Sequence, residues 1–141
     1  MRKATTLFWV LGILFLLWNA MGCAAYLAEV TMDDAAYAER YGEGVAALRD
    51  AVPTWSVAGY AVAVWGGLLA SVVFLLRRRL AGPLFVVSLV GAVLGFLPLV
   101  LVDGMLDAMG TADLAMPFVV LVASVVEIVA SRRYAANGTL R

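Results

Sequence analysis

Four apolar stretches divide the chain, and nearly all the charged residues fall between them. The stretches are Leu7–Ala28, Pro53–Leu76, Pro83–Val102 and Leu114–Ala130. At a rise of about 1.5 Å per residue, roughly 20 apolar residues cross the ~30 Å hydrocarbon core of a bilayer. The pattern therefore predicts an all-α, polytopic membrane protein: one domain over 1–141, folded as a four-transmembrane-helix bundle. Its connections are two loops at 29–52 and 103–113, a turn at 77–82 and a tail at 131–141. Pro53, Pro83 and Pro117 each sit in the first turn of a predicted span, where a missing N–H costs nothing. Pro98 alone falls inside one and predicts a kink in the third helix.

The first loop has helical character of its own. Thr31-Met-Asp-Asp resembles a capping box, and Tyr37, Tyr41, Val45, Leu48 and Val52 recur at helical spacing. An amphipathic helical segment lying over the outer membrane face follows, broken at Gly42-Glu43-Gly44. Tyr26, Trp55 and Tyr60 are placed to anchor that interface.

Composition agrees with the pattern. Hydrophobic residues make up 65% of the chain and charged residues 14%, against roughly 45–50% apolar in a soluble domain. The chain has no histidine and a single cysteine, which removes the usual metal clusters, histidine-dependent nucleophilic triads and any internal disulfide. No metal, cofactor or catalytic set is expected, and the protein reads as a non-enzyme.

The net charge of zero hides a strong asymmetry. Arg2 and Lys3 precede the first span, Arg77, Arg78 and Arg79 follow the second, and Arg132, Arg133 and Arg141 follow the fourth. The loops at 29–52 and 103–113 hold nine of the ten acids and two arginines. With four alternating spans the basic groups share one side, and the positive-inside rule places both termini in the cytoplasm of a bacterial inner membrane. The clusters Arg77–Arg79 and Arg132–Arg133 thus read as topology determinants, rather than as patches for nucleic acid or lipid headgroups. The expected partners are the bilayer and either a second copy or another membrane protein.

Residues 15–30, FLLWNAMGCAAYLAEV, raise a separate question. A basic start, an apolar run and Gly22-Cys23 resemble a lipoprotein export signal, but Ala20 and Met21 fit its cleavage pattern poorly. The apolar run also continues through Leu27, longer than the usual 7–15 residues of a signal core. The segment reads as a retained helix, with Cys23 as a small packing residue.

Two residues stand out inside the spans. Asn19 lies about 18 Å into the first, near the midplane, and should bond a neighbouring helix as glue or, with Trp18, line a small polar site. Glu127, the one acid outside the loops, lies only about 7 Å from the cytoplasmic end, near Arg132. It can snorkel to pair with Arg132 and the arginine turn, or act as a coupling group. Small residues line the second span at Gly59, Ala63, Gly67 and Ser71, and Gly91 and Gly95 form a GxxxG pair in the third. The repeated ASVV at Ala70–Val73 and Ala123–Val126 is short enough to be chance, and the Asn137-Gly-Thr sequon falls on the cytoplasmic tail.

LLWNAMG, PTWSVAGYAVAVWGG, LLRRRLAGPLFVVSLVG and the tail AANGTLR together resemble a family of small bacterial inner-membrane proteins commonly labelled "sugar transporter". The resemblance covers nearly the whole chain and implies the same four-span fold. For a sugar, the spans offer Asn19, Ser71, Ser88, Ser124 and Glu127, with Trp18 and Trp65 as stacking faces. One bundle can hardly surround a hexose and open to both sides, whereas a dimer could. Two functions follow: an accessory or interaction protein whose partner surface is the outer segment, or an oligomeric transporter with Asn19, Trp18 and Trp65 along the path and Glu127 as its coupling group.

Overall fold

The computed structural model describes residues 2–141, and every regular element among them is helical. Four helices are long and apolar enough to cross a membrane: α1 (Thr6–Val30), α4 (Thr54–Leu75), α5 (Ala81–Phe96, continued past a break by α6, Pro98–Leu101) and α8 (Thr111–Ala136). Between α1 and α4 lie α2 (Asp34–Tyr41), α3 (Glu43–Ala47) and a 3-10 turn at Arg49–Ala51; α7 (Met105–Ala108) precedes α8. Leu7, Leu17, Leu69, Val100, Phe118 and Val122 all face outward, more than half exposed. Such an apolar exterior is the reverse of a water-soluble bundle.

The central seam is α4 against α5, packed antiparallel. Gly59 and Gly91 bring the two backbones into contact: a Cβ built on Gly91 would lie 2.7 Å from the backbone of both Ala63 and Gly59. At that separation side-chain hydroxyls reach across, Ser88 Oγ donating to the Ala63 carbonyl at 2.6 Å and Ser56 Oγ to Gly95 at 3.1 Å. Helix α1 packs on α4 and α8 on α5, while the backbones of α1 and α8 rarely approach each other. Their ends near the termini are joined instead by aromatic rings. Phe8 stacks on Phe74 with centroids 4.7 Å apart, and Tyr134 meets both edge-on.

The helix bounds differ from the apolar pattern mainly in α8. The apolar run predicts a helix at 114–130, but the helix occupies Thr111–Ala136, because hydropathy falls at Ser131 while nothing breaks the backbone until Asn137-Gly138, with Gly138 at φ +81°. Pro117 consequently sits inside the helix rather than in its first turn. It leaves the Asp113 carbonyl without its intrahelical donor. Pro98 interrupts the third span at Leu97, as the missing N–H requires.

Each end of the bundle is closed. At the end carrying the termini, the tail folds back and buries Leu140 and Thr139. Arg77, in the left-handed region at φ +59°, accepts a backbone hydrogen bond from Arg141 N–H at 2.8 Å, while its Nε donates to Thr139 O at 3.0 Å and Nη2 to Arg2 O at 2.6 Å. At the other end α2 and α3, separated by Gly42 at φ +92°, bury Tyr37 and Val45 against Met105. Arg49 ties this cap together through Asp34 at 2.9 Å and the Met32 carbonyl at 2.9 Å, and Arg40 pairs with Asp113 at 3.6 Å. Burial and the neighbouring Glu29 carboxylate, to which the Tyr41 hydroxyl donates at 3.2 Å, push the Tyr41 phenol well above its ordinary range.

The seam gives a direct test. Gly91→Ala should lower unfolding stability in mixed micelles by about 1–3 kcal/mol through forced separation of α4 and α5. Gly66→Ala, whose Cβ would meet nothing closer than 3.9 Å, should stay within about 0.5 kcal/mol of the parent. Equal melting of the two variants would refute close backbone contact as the basis of this seam.

Candidate functional site

Three polar residues of the long helices, Asn19, Ser71 and Glu127, converge at one level of the bundle. Asn19, midway along α1, is 6% exposed, and Glu127 on α8 is 2% exposed. The Asn19 Nδ2 group donates to Glu127 Oε1 at 2.6 Å, to Ser71 Oγ on α4 at 3.1 Å and to the Phe15 carbonyl at 2.9 Å. Two N–H bonds serve three acceptors. Ser71 is free to accept because its own hydroxyl donates to Gly67 O at 2.8 Å. Gly67 supplies the space: a Cβ there would run into the Asn19 Oδ1 atom. One amide thereby links α1, α4 and α8.

Glu127 is not where snorkelling would put it. Its carboxylate forms no ion pair among the described residues, and Arg132 and Arg133 lie exposed beyond it. The reason is the length of α8. With the helix continuing to Ala136, Glu127 lies nine residues, or about 14 Å, from its end, and Asn19 offers a nearer donor than any arginine. The two isolated polar residues of the sequence are partners of each other.

Trp18 and Trp65 are not brought together. Trp18 joins Leu14, Phe15, Ala123, Val126 and Glu127 in lining a groove of about 310 Å³ between α1 and α8, where the two backbones stand apart. Trp65 is 44% exposed on the outer surface of α4, roughly half a turn around from Gly67 and so directed away from Asn19. Ser88 and Ser124 are occupied by the carbonyls of Ala63 and Val120. Cys23 lies mid-helix in α1, its thiol donating to Val64 O at 3.3 Å. Arg77 and Arg79 hold the tail, Nε of Arg79 reaching Leu140 O at 3.3 Å, while Arg78, Arg132 and Arg133 are exposed.

Sequence reasoning missed the role of Gly67 and Ser71 as the cradle of Asn19. The signal was present in the small-residue stripe of the second span, which places both on one helical face.

The site should behave as a coupled pair. In a double-mutant cycle with Asn19→Leu and Glu127→Leu, the unfolding free energies should fail to add by about 1–2 kcal/mol, with Glu127→Gln close to the parent because its amide oxygen still accepts from Asn19. Strict additivity would remove the hydrogen bond from the account of stability. Comparison with models of known protein families, with curated proteins and with solved structures gives no match to this chain.

Proposed function

We propose that this chain is a non-enzymatic integral membrane protein of the bacterial inner membrane, acting as an accessory or interaction protein, with both termini in the cytoplasm. The observation that carries this reading is that the polar groups midway along the four long helices are spent on one another or on backbone carbonyls. Asn19 is committed to Glu127, Ser71 and Phe15, and Ser88 and Ser124 to backbone carbonyls. Among the described residues, no converging set of free donors and acceptors is left at that level, midway through the bundle, for a hydroxyl-rich solute. The segment 34–51, in this reading, sits over the outer face of the membrane and offers Glu39, Glu43 and Asp50, all exposed, to a partner.

A second reading, an oligomeric transporter of small, sugar-like molecules, is favoured by the open groove that Trp18 and Glu127 line between α1 and α8. A second copy roofing that groove would complete a site near the level of Asn19. The resemblance to small bacterial membrane proteins labelled as sugar transporters points the same way.

Purified protein in sealed vesicles should give uptake of radiolabelled neutral sugars no faster than protein-free vesicles. Saturable uptake that disappears in Asn19→Leu and Glu127→Gln would reverse the ranking of the two readings. A green fluorescent reporter fused after Arg141 should fluoresce, and alkaline phosphatase fused there should be inactive; the opposite pattern would invert the proposed orientation.

A further inference from the structure

At the end of the bundle that carries the termini, a cavity of about 240 Å³ opens between the start of α5 and the end of α8, lined by Arg79, Gly82, Pro83, Val86, Ser131, Arg132 and Ala135. Three features of it point to an anion. Ser131 is 1% exposed, and its Oγ has no hydrogen-bond partner among the described residues, although a buried hydroxyl without a partner carries a desolvation cost that native structures seldom leave standing. Arg79 and Arg132 come from different helix ends, yet both line the same cavity, and no acidic side chain does. Arg79 uses Nε on Leu140 O, which leaves its terminal nitrogens, and Arg132 is exposed with no acid in ion-pair range among the described residues. The cavity also borders the first turn of α5, whose dipole favours negative charge although its Ala81 and Gly82 N–H groups already donate to the Arg78 and Arg79 carbonyls.

We infer that this cavity is a binding site for a phosphate group, with the guanidinium groups of Arg79 and Arg132 pairing its charged oxygens and the Ser131 hydroxyl donating to one of them. Two forked guanidinium groups and a hydroxyl suit the several acceptor oxygens of a phosphate better than the single face of a small halide. The phosphate has two sources, the headgroup of an anionic phospholipid or a free phosphate. The first source rests on the membrane reading above, in which this end of the bundle meets the headgroup layer and the exposed Pro83 and Val86 run alongside an acyl chain. The site does not depend on whether the protein carries any solute.

Native mass spectrometry of the full chain in detergent, titrated with phosphatidylglycerol, reads the site directly. One equivalent should bind tightly, and Ser131→Ala and Arg132→Gln should each weaken that equivalent about tenfold. Arg133→Gln, which removes the same charge one residue away, should change it less than about twofold. Ser131→Ala loses only an unpartnered hydroxyl, so its thermal unfolding should match or exceed that of the parent, which separates binding from folding. Competition by inorganic phosphate would assign a free phosphate as a ligand of the same site. Binding of phosphatidylglycerol that phosphate cannot displace would assign the lipid headgroup. Equal weakening by Arg132→Gln and Arg133→Gln would reduce the site to diffuse surface charge and overturn it, as would unchanged binding in Ser131→Ala or no bound equivalent of either ligand.

Discussion

The hydrogen bond from Asn19 to Glu127 bridges α1 and α8, two long helices whose backbones do not pack. Helices α1, α4, α5 and α8 associate as a sequence of neighbours, α1 on α4, α4 on α5 and α5 on α8, which leaves an open seam between the first and the last. Small residues can close the other seams because backbones touch there, as Gly59 and Gly91 do. Across the open seam only side chains reach: the Asn19 amide at one level and the Phe8–Tyr134 rings nearer the termini. In an apolar surrounding neither the amide nor the carboxylate has water to fall back on, so each makes the other's position obligatory. Glycine at position 67 follows from the same constraint, since any side chain there would displace the Asn19 oxygen.

The arginines combine long-range and local roles. Their clustering at one end of the bundle is what the proposed orientation rests on, a property of summed charge that any basic residue could supply. Arg77 does something a lysine could not copy. It adopts a left-handed backbone conformation that ordinarily favours glycine, and its planar fork spans two carbonyls, those of Thr139 and Arg2, belonging to opposite ends of the chain. This clasp carries Leu140 into the cluster built on Phe8, Phe74 and Phe85. The closed end of the bundle is therefore assembled by the same residues whose charge, in the proposed orientation, holds it on one side.

Much of this architecture was legible in the residues, because its causes are local. The four long helices follow from apolar runs of sufficient length, and the break at Leu97 from Pro98. The contact of α4 with α5 follows from Gly59, Gly91 and their small neighbours. What escaped was whatever depends on distance across the fold. Hydropathy ended the last helix at Ala130, although backbone propensity carries it through Arg132 and Arg133 to Ala136. That error of less than two turns made Glu127 look shallow enough to meet an arginine. Trp65 was grouped with Trp18 by residue type, while helical phase turns it outward. Asn19 and Glu127 stood out individually as polar residues in apolar helices, but no periodicity links positions on helices one and four, so their pairing appears only in three dimensions.

Stability alone is a weak reason for that pairing. A buried amide and carboxyl group recover at best about 1–2 kcal/mol across a membrane interface, and well-packed apolar side chains of similar size commonly do as well or better in place of buried polar pairs. Leucines at positions 19 and 127 would hold α1 to α8 by dispersion alone. An amide and an acid differ from two leucines in being directional: they fix the register of α1 against α8 to a single rung, where apolar side chains would tolerate sliding by a turn. They also place an acidic residue, Glu127, on the wall of the groove that Trp18 lines. Register and access are properties of this pair that apolar packing cannot supply, and both concern the seam the bundle leaves open.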